Sequence, residues 1–110
     1  MKNFILDHTP HAELLALLAE EAAELGHAAL KLHRAITGKI PTPTTEDEAA
    51  SNVIEEVADV FNCLELLGVL TMENIDVLED IQTAKLERWV TRIKEAQERD
   101  KAATAAVQSD

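Results

Sequence analysis

The sequence TPHAELLALLAEEAAELGHAALKLHRAITG, residues 9–38, repeats its apolar side chains at the spacing of an α-helix. Thr9 before Pro10 predicts the start of this helix, because a capping side chain precedes a residue whose φ is already helical. Gly38 predicts its end. At about 3.6 residues per turn, one stripe collects large aliphatic side chains, namely Leu14, Leu18, Leu25, Leu32 and Ile36. The stretch indicates a long amphipathic helix that buries one face.

Residues 38–45 separate this helix from a second one. They contain one glycine and two prolines, which together cannot continue a helix. Thr45 and Glu48 then form a capping-box pattern, and Glu46 and Asp47 carry the negative charge that the start of a helix favours. The second helix is predicted to reach about residue 67, with an apolar stripe formed by Val53, Val57, Val60, Phe61, Leu64 and Leu67.

A third helix is predicted after Gly68, with Thr71 as its cap and an apolar face that continues to about residue 94. Trp89 is expected to pack within this face. Residues 95–110 are polar and rich in alanine, so we expect a polar helical end that passes into a disordered tail. Because the sequence shows no alternating strand pattern, we expect an all-α chain with one domain over residues 1–94.

Long helices in so short a chain would leave apolar faces uncovered in a monomer. Symmetric pairing of chains is the ordinary way for short helical subunits to bury such faces, because it completes four-helix bundles. We therefore expect an antiparallel helical bundle completed by oligomerisation, as a homodimer or a homotetramer.

Composition narrows the class of protein. The 110 residues are 46% hydrophobic but hold no apolar run near the ~20 residues of a membrane span, so no membrane partner is expected. The early apolar run, residues 4–6, is too short for a signal peptide, which favours a cytoplasmic location. The formal charge of −11 opposes binding to polymeric nucleic acid. The lone Cys63 lies in an apolar helical stretch and is expected to pack in the core.

Four carboxylates occupy unusual positions on the first two helices. Glu21 fills a slot of the apolar stripe where a hydrophobe is expected, and Glu24 lies one turn further at its edge. Glu56 and Asp59 repeat this spacing on the flank of the second stripe. Acids on partly buried surfaces repel one another and lose solvation unless protons or cations neutralise them. The pattern predicts a divalent-metal site, and ligation by carboxylates alone suits Mg²⁺, with Mn²⁺ as a possible substitute.

Two other interpretations of these acids remain open. In a chain with 21 Asp and Glu, i, i+3 acid pairs also arise as ordinary solvated residues. Glu24 and His27 form a Glu-x-x-His pair of the kind used by di-iron helical bundles. Those sites need a second such pair on another helix, and the remaining histidines, His8, His11 and His33, all lie on or before the first helix. His27 and His33 are therefore expected to be solvated.

The segments Glu20-Glu21-Ala22-Ala23-Glu24 and Glu56-Val57-Ala58-Asp59 together resemble the EExxE…ExxD signature of the MazG-like all-α nucleoside triphosphate pyrophosphohydrolases. The similar region runs from residue 14 to residue 67. The resemblance implies Mg²⁺-dependent hydrolysis of nucleoside triphosphates, in particular deoxynucleoside triphosphates, between the α and β phosphates. The products would be a nucleoside monophosphate and pyrophosphate.

The resemblance also implies roles for individual residues. Glu21, Glu24, Glu56 and Asp59 would bind the metal, and they are the same four acids that the helical stripes select. Glu20 would act as general base and take the proton from the attacking water. The candidates for binding the substrate phosphates are cations on the predicted helices, namely Lys31, Lys85, Arg88 and Arg92.

Two other functions stay open at this point. A phosphoribosyl-nucleotide pyrophosphatase would use the same acids on a different substrate. A non-enzymatic helical interaction module would need no metal. The loop of residues 38–45 lies between the two acid-bearing helices and could close over a base.

Overall fold

A computed structural model describes residues 1–39 and 41–108 of the chain. Within this part the chain forms four α-helices: α1 over Lys2–His8, α2 over His11–Thr37, α3 over Glu46–Leu66 and α4 over Met72–Gln108. No strand occurs among the described residues, which confirms the all-α expectation. The chain divides into two compact units, Met1–Thr71 with the first three helices and a second that begins at Met72 and contains α4.

The first unit is built on an antiparallel hairpin of α2 and α3. Lys31, late in α2, lies beside the first turns of α3, whereas Glu21, earlier in α2, lies near Cys63 at the other end of α3. The fully buried apolar residues of the hairpin are Leu14, Ala28, Ala49 and Cys63. The two alanines take little space, which permits a close approach of the helix axes. The expectation that Cys63 packs in the core is confirmed.

The start of α2 differs from the sequence prediction. Pro10 occupies the N-cap position and no side chain caps the helix, so the prediction that Thr9 caps α2 is wrong. Thr9 instead ends α1 in an extended conformation. Periodicity does not reveal α1, because its seven residues make only two turns. This short helix is joined to α3 by an ion pair between Lys2 and Glu65.

The loop between α2 and α3 is bounded as the sequence predicts. Gly38 has φ of 63°, in the left-handed region where a residue without Cβ meets no steric penalty. Its amide donates a hydrogen bond to the carbonyl oxygen of Arg34 at 2.9 Å. At the other end the amide of Glu48 donates to Thr45 Oγ1 at 3.2 Å, and the Thr45 amide donates to the Glu48 carboxylate at 3.4 Å. The predicted capping box is confirmed.

Replacement of the capping side chain is expected to weaken α3. Thr45→Ala removes the acceptor for the Glu48 amide and should lower the free energy of unfolding by about 1 kcal/mol. Urea titration followed by circular dichroism measures this change. Thr83→Ala, at an exposed position of α4, serves as the control. Equal stability of the two variants would show that the capping box contributes nothing.

The second unit consists of a helix longer than expected. α4 continues to Gln108, whereas the sequence suggests fraying near residue 94. Alanine, glutamate and lysine in the extension have high helix propensity, which explains why a polar segment stays helical. The last two residues, 109 and 110, lie outside the described part, and the expected domain boundary stays a prediction. Trp89 is 63% exposed, so its expected packing is not observed.

The apolar stripes are only partly buried in the single chain. Leu18, Leu25 and Leu32 are half-buried along α2, whereas Ile36 and Phe61 are 58% and 49% exposed in the single chain. Both belong to the apolar stripes whose faces the sequence predicts to stay uncovered in a monomer. None of the described helices has the combined length and apolar character needed to cross a membrane.

Candidate metal centre

Three carboxylates converge where α2 packs on α3. Glu21, Glu24 and Glu56 each offer one carboxylate oxygen, and these three oxygens lie within 4.8 Å of one another. Glu21 and Glu24 project from successive turns on one side of α2. Glu56 reaches the same point from α3. Oxygens this close can share one cation, and we call this set the carboxylate triad.

Two oxygens of the carboxylate triad are buried without a hydrogen-bond partner in the described structure, Oε2 of Glu21 and Oε2 of Glu56. A buried acceptor that lacks a donor loses its solvation without compensation. Ionised carboxylates only accept hydrogen bonds, so Glu24 can pair with Glu21 or Glu56 only where the carboxyl group of Glu21 or Glu56 holds a proton. Either a proton or a cation must satisfy the two buried oxygens. The donor set of carboxylate oxygens fits a hard divalent cation.

The pKa shifts within the triad also favour a bound cation. Burial raises the pKa of Glu21 above its ordinary value of 4.5, and the negative charges of Glu24 and Asp59 raise it further. Burial likewise raises the pKa of Glu56, and the charges of Glu24 and Asp59 again add to the shift. A cation at the triad would reverse both charge effects, because it stabilises the ionised forms.

Asp59, the fourth predicted ligand, lies at the edge of the triad. It is exposed and is not among the three converging oxygens, yet its charge acts on Glu21, Glu56 and Cys63. The structure thus brings three of the four predicted ligands together directly. The fourth lies close enough to add to the negative potential that would attract a cation.

The other predicted site residues are placed as follows. Glu20, the predicted general base, is exposed on α2 next to Glu21 in the chain and outside the triad. His27 and His33 are exposed, which confirms that they are solvated, and no histidine belongs to the triad. Among the described residues, His27 does not join the cluster of carboxylates that contains Glu24.

The predicted phosphate-binding cations belong to both units. Lys31 is exposed and lines a groove of about 480 Å³ beside the start of α3. A second concave surface of about 450 Å³ lies on α4 and is lined by the remaining three cations together with Trp89, namely Lys85, Arg88 and Arg92. Their role in binding phosphate stays a prediction.

The groove at Lys31 contains polar residues that the sequence does not single out. Ser51, Asn52 and Glu55 line it from α3. Asn52 precedes Glu56 by four residues, so both lie on the same side of α3. The four-residue spacing between Asn52 and Glu56 is the feature of the sequence that could have indicated this groove. An asparagine on the polar flank of a helix is usually solvated, however, so the spacing alone does not point to a binding site.

The thiol of Cys63 is expected to be unreactive in the folded protein. Burial raises its pKa, and the charges of Glu21 and Asp59 raise it further, so the nucleophilic thiolate is scarce as well as inaccessible. Labelling with an aromatic disulfide reagent near neutral pH should be much slower in buffer than in denaturant. Equal rates in the two solutions would mean that the α2–α3 interface opens freely at this position.

Comparison of the chain with protein-family models, curated proteins and solved structures finds no match. The similarity to MazG-like pyrophosphohydrolases thus rests on the two acidic motifs. What those motifs imply is a proposal, and the geometry of the carboxylate triad is its structural support.

Proposed function

We propose that the chain is a Mg²⁺-dependent pyrophosphohydrolase of nucleoside triphosphates. The observation that carries the proposal is the pair of buried, unpartnered oxygens in the triad, Oε2 of Glu21 and Oε2 of Glu56. Acids placed at a helix interface without partners oppose folding, and apolar residues of similar size would serve stability better. A bound ligand that needs those oxygens explains their presence.

The chemistry of the triad favours Mg²⁺ over other metals, with Mn²⁺ as a substitute. Structural zinc is held by cysteine and histidine, and neither belongs to the triad. Mg²⁺ is commonly held by a few carboxylates and completes its coordination with water and substrate phosphates. A triad that offers three oxygens from two helices therefore suits a cation shared with a phosphate-bearing substrate.

Different residues of the chain would bind the cation and accept the proton in this reaction. Glu21, Glu24 and Glu56 would hold the cation, with Asp59 at the edge of the site. The cation, when bound, supplies positive charge to the phosphate oxygens and favours attack by water. Glu20 would accept the proton of that water. The water oxygen bonds to the α-phosphorus, the bond from this phosphorus to the bridging oxygen breaks, and pyrophosphate leaves.

Release of pyrophosphate from a panel of ribo- and deoxynucleoside triphosphates tests the proposal. We expect release with Mg²⁺ or Mn²⁺ and none with EDTA, with deoxynucleotides as the better substrates. Absence of release from every triphosphate would refute the proposal. Release only from a phosphoribosyl-nucleotide adduct would identify the chain as a phosphoribosyl-nucleotide pyrophosphatase, and metal-independent binding of a protein would indicate an interaction module.

The partner of the enzyme, beside its substrate, would be a second copy of the same chain. Large apolar side chains stay exposed on the hairpin, including Leu30 at 58%, Ile54 at 71% and Phe61 at 49%. A homodimer or homotetramer would bury them in completed four-helix bundles. Light scattering measures the oligomer directly, and a monomer at micromolar concentration would refute this part. An enzyme of nucleotide metabolism of this kind would act in the cytoplasm.

A further inference from the structure

A groove lies on the first unit between α2 and the beginning of α3. Its volume is about 480 Å³, large enough for a sugar with its base. Its polar lining comes from α2, the loop and α3, with Lys31, Thr44, Asp47, Ser51, Asn52 and Glu55 as the main residues. Ala49 also lines the groove and is buried, with 1% of its surface exposed.

The groove is unsuited to phosphate. The amide of Glu48 at the start of α3 is already used by Thr45 Oγ1, and the Glu48 carboxylate is engaged with the Thr45 amide. Three acids, Asp47, Glu48 and Glu55, face a single cation, Lys31. A net negative lining repels phosphate and favours an uncharged group that is rich in hydrogen-bond donors.

The groove adjoins the carboxylate triad along both helices. Asn52 precedes Glu56 by one turn of α3, which places the two residues about 6 Å apart along the helix axis. Lys31 follows Glu24 by two turns of α2 and lines the groove, so the groove begins within two helical turns of the triad on this helix as well. A sugar has the length to bridge phosphates at the triad and a base beside Asn52.

We infer that this groove receives the nucleoside end of the substrate and selects bases that carry an exocyclic amino group. The inference rests on the proposed function, because it takes the phosphates to lie at the carboxylate triad. An amino group donates two hydrogen bonds, and the carboxylate of Glu55, three residues from Asn52 on α3, can only accept. A keto oxygen in the same place would face acceptors and lose its solvation. The Asn52 amide both donates and accepts, as the edge of an amino-bearing base requires.

Metal-free binding of nucleosides gives the first test. Deoxycytidine and deoxyuridine differ at the critical group, since one carries an amino group where the other carries a keto oxygen. With EDTA present, titration of ¹⁵N-labelled protein with deoxycytidine should shift the side-chain amide of Asn52 and the backbone amide of Ser51. Deoxyuridine should bind more weakly. Asn52→Ala should weaken deoxycytidine binding roughly tenfold, the usual effect of losing one base-edge contact.

Asn62→Ala is the matched control. Asn62 lies on the same helix but lines a different cavity, together with Met1 and Leu66. In the enzyme, Asn52→Ala and Glu55→Gln should lower the ratio of kcat/KM for dCTP over dUTP roughly tenfold through KM. Asn62→Ala and Glu13→Gln, both away from the groove, should leave that ratio unchanged.

The outcomes separate this inference from the proposed function. Selective binding of deoxycytidine at Asn52 without hydrolysis of any triphosphate would refute the proposed enzymatic activity and would support the assignment of the groove as a base-binding site. Hydrolysis of dCTP and dUTP with equal kcat/KM would overturn the assignment of the groove and would support the proposed enzymatic activity. Equal effects of Asn52→Ala and Asn62→Ala, or nucleoside-induced shifts confined to other residues, would also overturn it.

Discussion

Glu56→Gln is expected to lower kcat/KM for pyrophosphate release by at least about a hundredfold, since even residues that only orient metal ligands cost 10–100-fold. Glu56 is the member of the triad that comes from α3, and one of its oxygens is buried without a partner. Glutamine keeps the size of the side chain and removes the charge. The loss should therefore reflect weaker cation binding.

The control for this substitution is Glu13→Gln, an exposed acid in the first turn of α2 that lies outside the triad. It should retain full activity with the same dependence on Mg²⁺. Circular dichroism and size-exclusion profiles of Glu56→Gln should match those of the wild type. Retained activity in a correctly folded Glu56→Gln protein would remove the triad from the reaction.

Mg²⁺ is expected to reverse the effect of Glu21→Gln on stability. Without metal the folded protein binds protons at Glu21 and Glu56 more tightly than the unfolded chain does, because the pKa of both acids is raised in the fold. The free energy of unfolding should therefore fall as pH rises from the ordinary value of 4.5 through the raised pKa values. Glu21→Gln removes part of that loss and should be more stable than the wild type in EDTA near neutral pH.

With Mg²⁺ in excess the wild type should become more stable than Glu21→Gln. A cation bound to the folded state stabilises the wild type by about 2.7 kcal/mol at a hundredfold excess over Kd, and the variant gains less because one ligand is missing. Thermal unfolding followed by circular dichroism, from acid to neutral pH with and without Mg²⁺, measures both effects. A variant less stable than the wild type in EDTA would show that Glu21 is satisfied without metal.

Local sequence signals predicted the features that depend on neighbours in the chain. The Thr45 capping box and the Gly38 end of α2 are each decided within one helical turn, and both were found where expected. The position of Glu21 within an apolar stripe also follows from periodicity. Together with the acid pair on the flank of the second stripe, that position predicted a shared site with Glu56, and the structure brings the two residues together.

Features that depend on contacts between distant residues could not be predicted in the same way. An ion pair joins Lys2 of α1 to Glu65 of α3, and these two residues are 63 positions apart in the chain. The groove is lined by residues of α2, the loop and α3 together, and no local pattern in the sequence marks these residues as neighbours. Ile36 and Phe61 belong to apolar stripes by spacing, but spacing alone does not give the exposed fractions of 58% and 49% that they have in the structure.

The small side chain at position 49 limits how such a protein can change its substrate preference. Ala49 is fully buried in the same helix pair that carries the carboxylates, so a larger residue there would push α2 and α3 apart as well as narrow the groove. The spacing of Glu24 and Glu56 would change with it. Selection for a new base would therefore act on rim residues such as Ser51 and Asn52, whose side chains can change without moving the helices. Position 49 would tolerate little beyond glycine or serine across any lineage that keeps the chemistry.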